Sequence, residues 1–267
     1  MILETDHDVA RIVARQAGTL LNNLSAHAQS LPDSGNESMT QISREVLGQE
    51  GDRAAHELLS ALLEKYRPAD QVLSEEGVLD PGRHNAERLW IVDPLDGTSH
   101  FSRGQSDFAV HVALWDREST QPSKISAASV YLPRTETMLS MDDEALLVPV
   151  DRDDIRVLVS KSRPPHELHM IVEHLGETFG KNVVVIPMGS VGAKVAHIIS
   201  GQADMYINTG GFHEWDLAAP LGVAQHYGLT VCDRSGNSIV FNNQDTFIAH
   251  AVVSRPEFVA ALIECLA

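Results

Sequence analysis

The chain has 267 residues, with 20 Lys and Arg against 37 Asp and Glu, which gives a formal net charge of −17. This charge disfavours a general nucleic-acid binder or a protein held on anionic membranes, but it leaves room for a phosphorylated small molecule, because bound cations reverse the field locally. A hydrophobic content of 43% is enough for the core of one large domain or of two closely packed ones.

The cysteines and the N-terminal pattern bear on the compartment. Cys232 and Cys265 lie far apart without a pairing pattern, so we interpret them as reduced thiols rather than a disulfide. No apolar run has membrane-spanning length, and residues 1–25 form an amphipathic pattern with early acids rather than a basic leader. These features predict a cytoplasmic protein that acts away from membranes.

Two helices are predicted in the first quarter of the chain. Apolar residues recur every three or four positions from Val9 to Leu24, which predicts a long amphipathic helix. The following segment, 29–50, is polar and rich in Ser, Asn and Asp, and is expected to be mobile. A second helix is predicted from about Asp52, which would lie in its first turn, to the break at Pro68.

The middle of the chain predicts a largely antiparallel sheet. Residues 89–92, Leu-Trp-Ile-Val, are typical of a strand buried on both faces, where Pro94 then interrupts pairing and Gly97 permits a close backbone approach. A loop is expected at 78–87, between the first two strands. The other predicted strands are 71–74, 107–115, 125–132, 136–140 and 145–148.

A charged break at 151–154 suggests a soft boundary, which divides the chain into an N-terminal α+β half, 1–150, and a C-terminal α/β half, 151–267. Beyond it, elements alternate. Strands are predicted at 156–159, 182–186, 204–207 and 229–232, and helices at 165–179, 191–199, 214–226 and from Pro256 onward.

Acidic residues follow two of the predicted strands and begin a predicted helix. Asp93 and Asp96 come directly after a buried strand, where two carboxylates repel each other unless a cation lies between them. Oxygen ligands favour magnesium or manganese over zinc. The alternative is an exposed Asx-type turn, since Asp, Pro and Gly are also common turn residues. Together with Asp52, Glu75 and Asp216, the acids outnumber what a turn requires and predict a site for two or three cations.

Three ordered motifs carry a resemblance to a known family. They are Ser74-Glu75-Glu76, then Trp90-Ile-Val-Asp93-Pro-Leu-Asp96-Gly-Thr98, then Glu214-Trp215-Asp216-Leu-Ala-Ala219. With them the chain resembles, over almost its whole length, the inositol monophosphatase superfamily of magnesium-dependent, lithium-sensitive phosphatases, and within it the 3'-phosphoadenosine-5'-phosphate phosphatases of sulfate assimilation. The resemblance implies an α/β (α+β) fold of five layers, αβαβα, with the active site between the two halves, and it leaves a homodimer open.

The resemblance also implies roles for individual residues. Glu75, Asp93 and the Leu95 carbonyl would hold one Mg²⁺, and Asp93, Asp96 and Asp216 a second. A third, weaker ion would lie near Glu75, and Mn²⁺ is an expected substitute. Asp52, with the Thr98 hydroxyl, would orient and deprotonate the attacking water. Backbone N–H groups of Gly97 and Thr98 would bind the phosphate, as helix starts commonly do.

Substrate choice depends on four positions. Thr209 stands where inositol phosphatases carry a glutamate that binds ring hydroxyls, which argues against inositol. Glu214, Lys194 and Ser190 are similar to the nucleotide-phosphatase branch, where they would contact a phosphate or ribose. The alternatives are a solvated helix lysine and a helix-start acid. The expected reaction is hydrolysis of the 3'-phosphate of 3'-phosphoadenosine 5'-phosphate to AMP and phosphate.

Some positions depart from the family pattern. Residues 47–52 read Leu-Gly-Gln-Glu-Gly-Asp in place of Pro-Val-Thr-x-Ala-Asp, so Asp52 matches by position alone. His100 replaces an asparagine or glutamate, and we leave both it and His111 outside the catalytic set. Arg163 is a candidate contact to adenine or phosphate. Two alternatives stay open: a broader inositol-1-phosphate or fructose-1,6-bisphosphate phosphatase, and a catalytically silent metal-binding homologue.

Overall fold

A computed structural model describes residues 4–30 and 37–266, and the side chains of 4–27 and 41–266. Seven α-helices are assigned over these residues. They are α1 (Asp6–Ser30), α2 (Glu37–Tyr66), α3 (Thr98–Phe101), α4 (Leu168–Phe179), α5 (Val191–Ile199), α6 (Glu214–His226) and α7 (Val259–Leu266). Short 3₁₀ turns lie at Pro81–Asn85, Pro133–Thr135 and Pro256–Phe258.

The described strands form two five-stranded sheets and one two-stranded ribbon. The first sheet has the order β1-β2-β3-β4-β5, with β1 parallel to β2 and the other pairs antiparallel. Its strands are Gln71–Ser74, Arg88–Asp96, Ala109–Asp116, Ile125–Leu132 and Thr137–Ser140. The second sheet has the order β10-β12-β8-β6-β7, and β9 pairs with β11. These strands are β6 (Asp154–Ser160), β7 (Asn182–Met188), β8 (Met205–Asn208), β9 (Phe212–His213), β10 (Thr230–Cys232), β11 (Phe247–Ile248) and β12 (Ala251–Ser254).

The two sheets and six of the helices stack as five layers, which confirms the αβαβα arrangement. Strand β2 contributes side chains to two hydrophobic cores, because successive side chains point to opposite faces of a strand. Trp90 and Val92 pack with α1 and α2, whereas Leu89 and Ile91 pack with α5 and α6 on the other face. This explains why the apolar run is continuous rather than alternating.

The second sheet repeats this arrangement on the far side of α5 and α6. Leu158 and Tyr206 face those two central helices, and Val157, Met205 and Ile207 face the outer pair α4 and α7. Helices α5 and α6 therefore lie between both sheets, and the ends of the two helices can approach the end of β2. The sheets fall on either side of residues 151–154, but the central core is shared between them.

The prediction of a mobile segment at 29–50 is wrong where the structure describes it. Helix α1 extends to Ser30 and α2 begins at Glu37, while residues 31–36 of that prediction lie outside the described residues. Asp52 consequently lies in the interior of α2, not in a first turn. The helix gave no apolar periodicity before residue 52 because two of its apolar side chains there are exposed, 53% for Ile42 and 58% for Val46.

Two other sequence predictions fail. No strand forms at 145–148, where Leu146 is 63% exposed and the Val148 N–H donates to the carbonyl of Ile199, the last residue of α5. Strands β9, β11 and β12 were not predicted, since they are short and their pairing partners are distant in sequence. The remaining predicted elements are present within a few residues of their expected bounds. Within the described chain, none of the helices has the length and apolarity to cross a membrane.

Candidate active site

An irregularity in β2 brings its two acids to one place. Residues three apart in a regular strand point to opposite faces, so Asp93 and Asp96 would ordinarily diverge. The β2–β3 register shifts between these two residues, at the position of Pro94. The Asp93 carboxylate accepts a hydrogen bond from the Leu95 N–H at 3.0 Å, which closes the turn. The proline therefore bends the strand end and aims both carboxylates into one site.

The first turn of α6 supplies a third carboxylate. Asp216 accepts a 2.6 Å hydrogen bond from the backbone N–H of His213, which fixes it at the helix start. One oxygen each of Asp93, Asp96 and Asp216 lies within 4.8 Å of the others. Burial, together with the charges of neighbouring acids, raises the pKa of Asp216 to about 7 and raises that of Asp93 well above its usual range. Neutralising this charge requires protons or a cation.

Asp96 differs from the other two acids because it has its own partners. Its Oδ2 accepts hydrogen bonds from Ser190 Oγ at 2.6 Å and from the Gly192 N–H at 3.2 Å. Burial alone would raise the pKa of Asp96, but the nearby His111 and Lys194, with the Ser190 hydroxyl, outweigh it and lower that pKa to about 2. Asp96 is therefore the acid of the cluster whose ionised form the protein's own groups stabilise.

This donor set fits a divalent metal ion. It contains three converging carboxylates, two of which are poorly stabilised as anions by the protein itself. Oxygen donors of this kind suit Mg²⁺ or Mn²⁺. The arrangement rules out the alternative of an exposed Asx-type turn, because Asp93 is only 1% exposed and Asp96 8%.

Glu75 lies beside this cluster rather than within its closest three members. It follows β1, whose last residue, Ser74, pairs with Val92, so Glu75 reaches the same sheet end as Asp93. The residue is exposed as a whole, but burial of its carboxyl group is the largest cause of a pKa raised to about 7, followed by the charges of Asp52 and Glu76. Glu75 thus shares the electrostatic field of the site, and its role as a ligand remains a prediction.

Asp52 and Thr98 meet next to the acidic cluster. The Thr98 hydroxyl lies 3.2 Å from Asp52 Oδ1 and 3.1 Å from the Leu95 carbonyl oxygen, either of which can accept its proton. Burial and the charge of Glu76 raise the pKa of Asp52 to about 7, against the effect of the Thr98 hydrogen bond. A carboxyl group with that pKa is suited to take up a proton near neutrality. The two residues are 46 positions apart in sequence.

Two glycines of the atypical 47–52 segment explain how Asp52 reaches this position. A Cβ on Gly51 would lie 2.7 Å from Phe101 Cε1, and one on Gly48 would lie 3.0 Å from Thr98 Cγ2. Helix α2 therefore packs directly on α3 along its glycine face. Close packing of α2 on α3 therefore positions Asp52 in this chain, whose segment 47–52 departs from the family pattern.

Gly97 satisfies a strict backbone requirement between β2 and α3. Its φ is +94°, and a Cβ there would lie 2.5 Å from the carbonyl oxygen of Asp107. Only glycine permits this turn without strain. Thr98 then begins α3, which places its hydroxyl on the Asp52 side of the cluster.

The polar residues of α5 are internal to the protein. Ser190 is the N-cap of α5, accepting a hydrogen bond from the Ala193 N–H while it donates to Asp96. Lys194 is fully buried, its ammonium donates to the carbonyls of Gly189 and Ser190, and its Nζ lies 4.6 Å from the Tyr206 ring centroid. The solvated-lysine alternative is wrong. The buried ammonium of Lys194 is also not exposed to a phosphate. Its charge instead offsets that of Asp96.

Glu214 also turns away from the expected substrate. It is 0% exposed, and its two oxygens accept hydrogen bonds from the N–H groups of Asn242 and Asn243 at 2.9 and 2.7 Å. The Asn243 side chain donates to it as well, at 3.0 Å. The predicted substrate contact by Glu214 is therefore replaced by a structural one, which ties α6 to the loop before β11.

The sequence reasoning missed two groups at the site. His111 pairs across from Asp93 on β3, is fully buried, and places Nε2 3.3 Å from Asp96 Oδ2, although outside hydrogen-bond geometry. Gly192 lets α5 approach it, since a Cβ there would lie 2.6 Å from His111 Nε2. The nearly continuous apolar run of β3 could have indicated that His111 is buried, but not which partner it approaches.

The fold and site together define a class: an αβαβα protein with a buried cluster of acids at a strand end, which could hold a divalent cation, beside a carboxylate–hydroxyl pair. The sequence profile of the inositol monophosphatase family matches residues 3–266. The chain therefore belongs to the inositol monophosphatase family, which confirms the resemblance noted from its motifs.

Individual relatives refine the comparison. The chain is 39% identical over 230 residues to the 3'-phosphoadenosine 5'-phosphate phosphatase of Mycobacterium bovis, covering 83% of this chain and 82% of that protein. It is 30% identical over 210 residues to the 3'(2'),5'-bisphosphate nucleotidase CysQ of Escherichia coli K12, covering 74% and 80%. The crystal structure of CysQ from Bacteroides thetaiotaomicron is similar with a TM-score of 0.75 and 25% identity, over 92% of this chain and 96% of that one.

Proposed function

We propose that the protein is a metal-dependent phosphomonoesterase that hydrolyses the 3'-phosphate of 3'-phosphoadenosine 5'-phosphate to AMP and phosphate. The observation that carries this proposal is the junction of the Asp93, Asp96 and Asp216 cluster with the Asp52–Thr98 pair. Membership of the family supports phosphate-ester chemistry, and the names of the relatives support a bisphosphate nucleotide as the substrate.

Asp93, Asp96 and Asp216 would hold the cation, with Glu75 and the Leu95 carbonyl as further ligands. We propose Mg²⁺, with Mn²⁺ as a substitute, because all these donors are oxygens. When bound, such ions lower the pKa of water and stabilise charge on the phosphoryl group. Asp96 would enter such a site as the anion, because the Ser190 hydroxyl and the Gly192 N–H both donate hydrogen bonds to its carboxylate.

The chain's own residues then supply proton transfer and orientation. A water molecule held beside Asp52 and the Thr98 hydroxyl would attack phosphorus while Asp52 takes up its proton. The bond from phosphorus to the 3'-oxygen breaks in the same step, and that oxygen leaves on AMP and takes a proton from solvent. The hydrogen bond between Thr98 and Asp52 keeps that carboxyl aimed at the site. The N–H groups of Gly97 and Thr98 would bind phosphate oxygens. The arrangement needs no covalent intermediate, since no step uses a protein nucleophile.

A role in removing the bisphosphate by-product of sulfate assimilation, in the cytoplasm, would follow from this substrate. Inhibition by lithium and a homodimeric state are further expectations from the family.

A phosphate-release panel tests the proposal. Purified protein is assayed with 3'-phosphoadenosine 5'-phosphate, inositol 1-phosphate and fructose 1,6-bisphosphate, each with Mg²⁺ and with excess EDTA. We expect Mg²⁺-dependent turnover with the highest kcat/KM on the nucleotide. A clear preference for either of the other two substrates would replace the nucleotide assignment with the broader phosphatase. Absence of turnover on all three by folded protein would favour the catalytically silent homologue.

A further inference from the structure

The loop between β1 and β2 carries a deeply buried cation. Arg83, in the 3₁₀ turn that Asp80 caps, is only 4% exposed, although Val78 and Leu79 of the same loop are exposed. Its guanidinium group has no carboxylate within ion-pair distance among the residues whose side chains are described, and it donates instead to neutral oxygens. A buried charge is costly unless such hydrogen bonds hold it.

The acceptors for Arg83 come from the C-terminal half of the chain. Nη1 donates to Asn242 Oδ1 at 2.7 Å, and Nη2 donates to the carbonyl oxygens of Asn243 at 2.5 Å and Gln244 at 3.4 Å. The Asn242 side-chain amide donates back to the Arg83 carbonyl at 3.4 Å. One arginine thus joins the β1–β2 loop to a loop about 160 positions later in sequence.

The same two asparagines bind Glu214 with their other groups. The N–H of Asn242 donates to one carboxylate oxygen of Glu214, and the N–H and side-chain amide of Asn243 donate to the other. Burial raises the pKa of Glu214, and these donors together with the charge of Arg83 act against that rise. This interlock, Arg83–Asn242–Asn243–Glu214, therefore holds two asparagines between a buried cation of the N-terminal half and a buried anion of the C-terminal half.

The backbone of Asn242 has a conformation that suits this arrangement. Its φ is +64°, in the left-handed region that residues other than glycine and asparagine seldom adopt. In this conformation the Asn242 N–H points to Glu214 while the side chain meets Arg83. The shape of the loop is therefore tied to both charged partners.

The loop in turn is attached to the start of α6, where Asp216 lies. The N–H of Glu214 donates to the Thr246 carbonyl at 2.8 Å. His213, whose N–H donates to Asp216, has its Nδ1 2.7 Å from Thr246 Oγ1. The loop and the first turn of α6 thus form one hydrogen-bonded unit, so a contact that fixes the loop against the N-terminal half also fixes Asp216 relative to the acids of β2.

We propose that Arg83 is a positioning residue for the acidic cluster. Through the two asparagines it holds the first turn of α6, and with it Asp216, at a fixed position relative to the acids of β2. This inference rests on the proposed function, in which the three carboxylates share a cation whose ligand distances are held within about 0.2 Å. Substituting residues that orient metal ligands without touching the ion commonly weakens metal binding by about 10- to 100-fold.

Two substitutions at Arg83 and one matched control test the proposal. Arg83→Gln removes the charge, and Arg83→Lys keeps it. The control is Arg255→Gln, because Arg255 is similarly buried and donates to the carbonyls of Val148 at 2.7 Å and Ile198 at 3.0 Å. It follows β12, at the end of the second sheet opposite to Ser190. Both glutamine variants should lose stability, so the control separates a loss of stability from a loss of positioning.

Titration calorimetry with Mg²⁺ alone measures the effect on the cluster. We expect Arg83→Gln to weaken Mg²⁺ affinity by about tenfold, Arg83→Lys by less than about threefold, and Arg255→Gln not at all. Turnover of Arg83→Gln should recover towards the wild-type rate at saturating Mg²⁺, because the proton-transfer pair is untouched. Wild-type Mg²⁺ affinity in Arg83→Gln, or an equal loss in Arg255→Gln, would overturn the proposal.

A second variant keeps the test decisive if Arg83→Gln does not fold. Asn242→Gly permits the positive φ without strain and keeps the N–H that donates to Glu214, but it removes the Oδ1 acceptor of Arg83. We expect a smaller loss of Mg²⁺ affinity, about threefold, since one of several hydrogen bonds is lost. Unchanged affinity in this variant would count against the interlock.

Hydrogen–deuterium exchange separates failure of this inference from failure of the proposed function, since it needs neither metal nor substrate. In metal-free protein we expect Arg83→Gln to speed amide exchange at 213–216 and 242–247 by about tenfold relative to Arg255→Gln. If wild-type protein binds no Mg²⁺, the proposed function fails, and the exchange result still decides whether Arg83 positions the first turn of α6. Unchanged protection at 213–216 would overturn that role.

Discussion

The two halves of the protein contribute to the site in different ways. The N-terminal half supplies groups that meet at the site: Asp93 and Asp96 on β2, and the Asp52–Thr98 pair beside them. In the C-terminal half, Ser190 supports Asp96 and Lys194 offsets its charge, whereas Glu214 binds a loop. Three of four polar residues expected there to touch substrate are instead internal. Polar residues near the acidic cluster are thus of two kinds, those that are open to a ligand and those that support other residues. Burial distinguishes the supporting residues from the open ones.

The largest expected effect comes from Asp93, the more deeply buried of the two acids on β2. Asp93→Asn should lower kcat by about 10³-fold or more, because it removes a charge that the cation and the phosphoryl group depend on. Mg²⁺ affinity, measured by calorimetry, should fall with it. The substitution also relieves repulsion among Asp93, Glu75 and Asp216, so the metal-free variant should melt at a higher temperature than the wild-type protein. Near-normal turnover would contradict the metal site.

The second prediction concerns the supporting half. Glu214→Ala should lower the free energy of unfolding by about 3 kcal/mol, because it leaves three partly buried donors without their acceptor. KM for the nucleotide in the remaining folded protein should stay within about twofold. Glu177→Gln, at an exposed position of α4, is the control and should be neutral. A stable variant with a strongly raised KM would return Glu214 to the substrate-contacting set.

The third prediction concerns Thr98 in the N-terminal half. Thr98→Ala should lower kcat by about 10²-fold and leave Mg²⁺ affinity unchanged, since it removes the hydroxyl that orients water but no metal ligand. Thr98→Ser keeps the hydroxyl and should restore most of the activity. If the alanine variant lost Mg²⁺ affinity in parallel with kcat, Thr98 would act by supporting the metal ligands instead.

The smallest effect tests the packing that positions Asp52. Gly51→Ala should destabilise the protein by about 1–2 kcal/mol, because the added methyl group would meet Phe101 at 2.7 Å and Leu95 at 3.0 Å. Gly176→Ala is the matched control in α4, where the nearest atom to a Cβ is 3.5 Å away, and it should stabilise by up to about 1 kcal/mol. Chemical denaturation measures both. Equal stabilisation by the two substitutions would contradict close packing of α2 on α3.

Much of the fold was predictable because it follows from local patterns. The apolar period of α1 and the uninterrupted apolar run of β2 each require one kind of element in one kind of environment. The first half of α2 escaped prediction because Ile42 and Val46 face solvent, so no apolar stripe marked the helix. The short strands β9, β11 and β12 depend on distant partners, which no local pattern reveals.

The sequence alone determined that Asp93, Asp96, Asp216 and the neighbouring acids form a motif set, because their spacing relative to strands and helices is local. Only the tertiary structure decided which polar side chains are open to a ligand at the acidic cluster. Lys194 and Glu214 were indistinguishable by sequence from ligand-binding residues, yet both are buried when α5 and α6 are enclosed between the two sheets. The physical reason is that residue type fixes what a side chain can bind, whereas packing between layers fixes what it can reach.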